Sequence, residues 1–249
     1  MKIGAQFYTI REACKTPEGL FESMKKVADM GYTTIQLSGV CRYDYDWMAQ
    51  KLAETGLKCV LTHNPAERLL SQPDKVARDN NTIGCKYVGL GSYAFHRDSP
   101  DQPKDFAEYY TRTAQVIRDG GGYFMYHNHD REFLKYGGKT ILQLLAEVMP
   151  AELMGFTLDT FWVQVGGGDP AYWIEKLSGR VPCVHLKDAG YKQQMLPVGE
   201  GNINFDRIFA ACEKAGTEYL LVEQDDCSGQ DPFDCLRRSC EYLKSVGLD

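Results

Sequence analysis

The chain has 249 residues, 43% hydrophobic and 25% charged, which supplies enough apolar material for one sizeable core. Its formal net charge of −6 argues against tight nucleic-acid binding, which needs basic groups to neutralise phosphates. No apolar run suits a signal peptide or a membrane span, and nine cysteines without a CxxC pair or zinc-ribbon spacing point to reduced thiols in a cytoplasm.

Short apolar runs alternate with longer helical patterns. KIGAQFYT (2–9) reads as a strand and 17–31 as a helix, with Pro17 in its first turn and Gly31 at its stop. A strand at 33–38 and a helix at 45–56 follow, then a strand at 57–63 and a helical stretch near 73–83. The pattern repeats with strand 86–92 and helix 103–121, strand 122–129 and helix 140–149, strand 154–160 and helix 169–179. Strand 181–188, helix 205–216, strand 218–225 and helix 232–247 complete it. Eight strand–helix units predict a single-domain (β/α)8 TIM barrel over residues 1–249. A doubly wound sheet would want a glycine-rich first turn, and TIREACKTP has no glycine.

Active sites of such barrels are built where strands end and the following loops begin. Strand three ends in His63, strand five in His127 and His129 with Glu132 just beyond, and strand six in Asp159. Strand seven ends in His185 and Lys187, and strand eight in Glu223. Four of the five histidines therefore occupy one predicted rim. Residues two apart share a face of a strand. On that rule His127 and His129, Thr157 and Asp159, and His185 and Lys187 point inward, and Phe156, Leu158, Val184 and Leu186 meet the helices. Asp159, His185 and Glu223 with one residue of strand five would converge on one point. A mixed carboxylate and imidazole set suits a divalent ion: Mn, Co or Mg first, with Zn, Fe or Ni also compatible. Taken singly, each residue has a plainer reading. An Asp or Glu at a strand end is more often a helix cap, and a lone His63 a hydrogen-bonded barrel residue.

The motifs YHNHDREF, GFTLDTFWV, VPCVHLKD, LPVGEGNINF and EYLLVEQDD, in this order, make the chain resemble the xylose isomerase-like TIM-barrel superfamily, and within it the sugar phosphate isomerases/epimerases. The resemblance covers nearly the whole chain. It implies one divalent ion held by strands five to eight, carried onto Asp159, His185 and Glu223. Strand five departs from the pattern. Where the ketose 3-epimerases of the superfamily carry a metal-binding Glu, direct alignment puts His127. Glu132 is the preferred ligand here, leaving His127 and His129, with Glu223, for proton transfer.

The expected chemistry is removal of the α-proton of a carbonyl sugar through a metal-stabilised enediolate, giving isomerisation or epimerisation. Elimination from a keto-sugar or 3-keto-glycoside, as in inosose dehydratase, shares that first step. His63, Lys187, Trp162 and Gln6 are candidate substrate-binding residues, and the loop GEGNINF, with Glu200, is a candidate cover for the site. Nuclease readings fit poorly: endonuclease IV chemistry needs more histidines and a basic groove, and the HNH string falls on a strand rather than in a ββα hairpin. An amidohydrolase would place HxH on strand one, which has no histidine. A small carbohydrate is the expected partner, with no nucleic acid and no membrane, and homo-oligomers are compatible with this fold.

Overall fold

Eight parallel strands close on themselves in chain order: β1 (Lys2–Gln6), β2 (Thr34–Leu37), β3 (Lys58–His63), β4 (Tyr87–Leu90), β5 (Tyr123–His127), β6 (Met154–Asp159), β7 (Cys183–Leu186) and β8 (Tyr219–Val222). The seam pairs β1 with β8, Lys2 opposite Tyr219 and Ala5 opposite Val222. This is a computed structural model, and it describes residues 1–96 and 99–249. The predicted (β/α)8 barrel is the observed fold.

Helices α1 (Pro17–Met30), α2 (Tyr45–Thr55), α3 (Ala66–Ser71), α4 (Pro73–Thr82) and α5 (Gln102–Asp119) wrap the first half of the barrel. Helices α6 (Ile141–Val148), α7 (Thr160–Val165), α8 (Pro170–Lys176), α9 (Phe205–Ala215) and α10 (Pro232–Ser245) wrap the second. Their ends follow the sequence signals. The Thr16 hydroxyl accepts from the Gly19 amide ahead of α1, and Gly31 ends that helix at φ +96°, a value that favours glycine. Two differences from expectation have local causes. Strand one stops at Gln6, because the Gln6 side chain accepts from the Tyr8 amide and caps a 3-10 turn over Phe7–Cys14. The short helices α3 and α7, six residues each, carry too little periodicity to be read from sequence.

Alternation sorts the two faces of the barrel wall as expected. Phe156, Leu158, Val184 and Leu186 are buried in the layer between strands and helices. Leu61, Tyr87, Met125, Cys183 and Leu221 form a separate cluster that fills the barrel interior. Toward the C-terminal ends of the strands the inward series turns polar: Gln6, Gln36, His127, Asp159, His185, Lys187 and Glu223 are all buried.

Candidate active site

His127, Asp159, His185 and Glu223, from the ends of β5 to β8, each offer a ligand atom, and these atoms all lie within 4.8 Å of one another. His127 Nε2 is 3.1 Å from Asp159 Oδ2, and His185 Nδ1 is 2.9 Å from Glu223 Oε2. Lys187 extends its ammonium into the same group, 3.1 Å from Asp159, 2.9 Å from Glu223 and 2.8 Å from Asp225. Burial opposes charge at all of these positions. The Lys187 ammonium and the imidazoles nevertheless hold Asp159 and Glu223 well below the usual carboxylate range, and the carboxylates raise Lys187 and His185.

The outer hydrogen bonds fix which imidazole nitrogen faces inward. His127 Nδ1 donates to the Gly91 carbonyl at 2.9 Å, and His185 Nε2 donates to Gln36 Oε1 at 2.6 Å. That leaves His127 Nε2 and His185 Nδ1 as the ring nitrogens facing the carboxylates, the atoms each ring has to offer a metal ion. His185 Nδ1 and Glu223 Oε2 are both buried without a hydrogen bond of acceptable geometry. The carboxylates of Asp159, Glu223 and Asp225 gather around the single ammonium of Lys187. The donor set, two imidazole nitrogens and two carboxylates without thiolate, fits a divalent ion.

A cavity of about 620 Å³ opens over this group, with Gln6, Ser38, His63, His129, Trp162 and Asp225 among its walls. The buried His63 Nε2, His129 Nδ1 and Trp162 Nε1 have no hydrogen-bond partner among the described residues. Polar atoms so placed suit a ligand rich in hydroxyls.

The residues singled out from sequence fall as follows. His127 takes the place in the cluster that was expected of Glu132. Glu132 is turned away from the barrel axis: its Oε2 accepts from the His129 amide at 3.0 Å, and its Oε1 accepts from the hydroxyl of Tyr126, an outward-facing residue of β5. It closes the 3-10 turn Asp130–Phe133, outside the group formed by His127, Asp159, His185 and Glu223. His129 lines the cavity, its ring 4.7 Å from His127 and 5.4 Å from Trp162. Burial and the neighbouring His127 push its imidazole down to about 3, so the ring is neutral. His63 lies 5.4 Å from His127 and is held neutral by burial. Gln6 reaches the site through Glu223, whose Oε1 accepts from its amide at 2.7 Å. Glu200, an expected cover residue, is instead paired with Arg238 at 2.8 Å.

A model of the xylose isomerase-like TIM barrel family matches residues 24–246. The chain belongs to this family. It is 18% identical to an inosose dehydratase of Bacillus thuringiensis over 78% of this chain and 76% of the relative. Among solved structures it is similar to a sugar phosphate isomerase/epimerase from Parabacteroides distasonis, with a TM-score of 0.86 and 20% identity, over 99% of this chain and 94% of the other. It is also similar to a zinc-bound IOLI protein, with a TM-score of 0.76 and 14% identity, over 99% and 98% of the two chains.

Several residues that shape the site in this xylose isomerase-like barrel escape sequence reading. Gln36 orients His185 from across the barrel. Asn128, between the two histidines of strand five, accepts from the Asp159 amide at 3.0 Å. Asp225 holds Lys187. The inward-facing series Thr34–Gln36–Ser38 on strand two carried the signal for Gln36, a buried amide at a strand end. Asn128 and Asp225 lie just past the observed ends of β5 and β8 but inside the strands expected at 122–129 and 218–225, where alternation sets Asp225 on the face of Glu223 and Asn128 on the face opposite His127.

Proposed function

We propose that the protein is a divalent-metal-dependent enzyme that removes the α-proton of a carbonyl sugar and thereby isomerises or epimerises it. The observation that carries this reading is the convergence of two imidazole nitrogens and two carboxylates beside a cavity with unpartnered polar atoms in its wall. His127, Asp159, His185 and Glu223 would hold the ion, which when bound would polarise a substrate carbonyl and stabilise the negative charge developing on its oxygen. Glu223 is the proton acceptor in this reading, its Oε1 fixed by Gln6. Lys187 anchors Glu223 and Asp159 and is placed to bind a substrate oxygen. Neutral His129 and the Trp162 N–H would hold hydroxyls, and the Trp162 ring would bound the sugar.

Elimination from a keto-sugar is the second reading, and one observation favours it. Strand five supplies an imidazole to the cluster, so Glu223 is the one ligand carboxylate other than the helix-capping Asp159. Epimerisation wants a proton carrier on each face of the enolate, whereas elimination wants one base and a donor to the leaving group. Keto-sugars and 3-keto-glycosides incubated in D2O with the Mn-, Co- or Mg-loaded protein should take up deuterium at the α-carbon, and a chelator should stop the uptake. NMR of the products separates an epimer from an unsaturated sugar. Equal uptake with chelated and metal-loaded protein would sink the proposal.

A further inference from the structure

The cavity over the cluster does not end at His63. Ser38, Gly39, His63, Asn64 and Pro65 line both it and a second cavity of about 660 Å³, as large as the first. The second space has an aromatic wall, Tyr43 and Tyr45, packed edge to face at 5.1 Å. Arg68 locks that wall by donating to the Tyr45 hydroxyl at 2.7 Å and to Asn64 Oδ1 at 3.2 Å. The wall is thus in place before any ligand arrives, which lowers the ordering cost of binding. On the divide between the two spaces, His63 Nδ1 lies 3.2 Å from the Ser38 hydroxyl, and His63 Nε2 is buried without a partner among the described residues. Gly39 completes the divide at φ +68°, and a Cβ there would come within 2.7 Å of the Tyr8 ring.

We infer that the substrate is a glycoside: a sugar ring in the catalytic cavity, and a second ring joined to it through an oxygen that passes His63 and lying against Tyr43 and Tyr45. A free monosaccharide would fill the first cavity alone and leave the second, of about 660 Å³, without a role. Aromatic faces edged by the polar side chains of Thr62, Asn64 and Gln72 suit a sugar or aryl ring, apolar on its face and polar at its rim. The inference rests on the carbohydrate reading of the first cavity.

Calorimetric titration of the Mg-loaded full chain with D-glucose and with 4-nitrophenyl α- and β-D-glucopyranosides tests it independently of turnover. An aryl glucoside should bind at least ten times more tightly than glucose. Ser71→Trp, at an exposed position lining the second cavity, should abolish that gain and leave glucose binding unchanged. Gln72→Trp provides the same block from a second position should the first variant misfold. Equal affinity for glucose and both glucosides, a gain that survives the block, or no binding of any probe would overturn the inference. The two readings fail separately. Deuterium uptake by keto-sugars without a glucoside gain sinks the two-ring substrate alone, and a glucoside gain without uptake sinks the reaction alone.

Discussion

One carboxylate serves two ends at Asp159. Its Oδ1 accepts from the Trp162 amide at 3.0 Å and caps α7, while Oδ2 faces His127 and Lys187. The helix-cap reading of an Asp at a strand end therefore holds, and it leaves Oδ2 available to the cluster, because a carboxylate has lone pairs enough for each. Gln36 acts one step further out. Gln36→Leu should leave the fold intact yet weaken divalent-metal affinity 10–100-fold, as loss of an outer partner of a ligating histidine does. Competition titration with a metal indicator checks this, and unchanged affinity would refute the orienting role. Glu132 has a different consequence. Burial pushes its carboxyl up to about 7 from an ordinary 4.5, against the hydrogen bonds from Tyr126 and His129. The folded chain therefore keeps a proton that the unfolded chain releases between those values. Stability from this group is complete below pH 4.5 and is lost as pH rises through about 7, a loss of about 3 kcal/mol. Urea titrations at pH 5 and 8 should show that excess loss in the parent over Glu132→Gln, and parallel curves would refute it.

At the level of elements, the residues on the regular part of the barrel were legible and those on its loops were not. Alternation places His127, Asp159, His185 and Glu223 on one face because a strand has only two faces to choose from. Glu132 sits five residues past His127, in a turn whose direction depends on the Tyr126 hydroxyl, and no periodicity encodes that. Strand β4 shows a feature that sequence alone would pass over. Gly89 on β4 and Gly91 just past its end make room for a ring from β3: a Cβ at Gly89 would lie 2.8 Å from His63 Cδ2, and one at Gly91 2.9 Å from His63 Nδ1. Gly89→Ala should cost about 1–3 kcal/mol in denaturant unfolding, since the Thr62 carbonyl at 2.9 Å blocks the other way out. The loop after β7 is organised by Asp188, whose carboxylate accepts from the amides of Ala189, Gly199, Gly201 and Ile203 at 2.8–3.2 Å. Asp188→Ala should speed hydrogen exchange at Gly199, Gly201 and Ile203 at least tenfold, roughly the loss of one charge-assisted bond. Unchanged exchange would mean the loop is held elsewhere.

Over the whole molecule, the fold was readable because eight repeats of one pattern leave little choice of architecture, whereas the cavity beyond His63 depends on loops after β2 and β3 meeting in space. On the proposed metal reading, the buried cluster would couple metal to stability. A divalent ion at a hundredfold excess over its Kd should add about 2.7 kcal/mol, or a rise of about 5–10 °C in Tm for a chain of this size. Differential scanning calorimetry with and without chelator measures the rise, and Asp159→Ala should abolish it. The barrel is also divided along its sequence. The groups that would hold the ion come from β5 to β8, while Gln6, Gln36, Ser38 and His63, which orient them or wall the cavity, come from β1 to β3. Such a chain can drift in diet without losing its trade: libraries randomised at cavity-wall positions before residue 96, with Gln6 and Gln36 kept, should yield variants that accept new molecules, and those randomised at the ends of β5 to β8 should mostly yield dead ones.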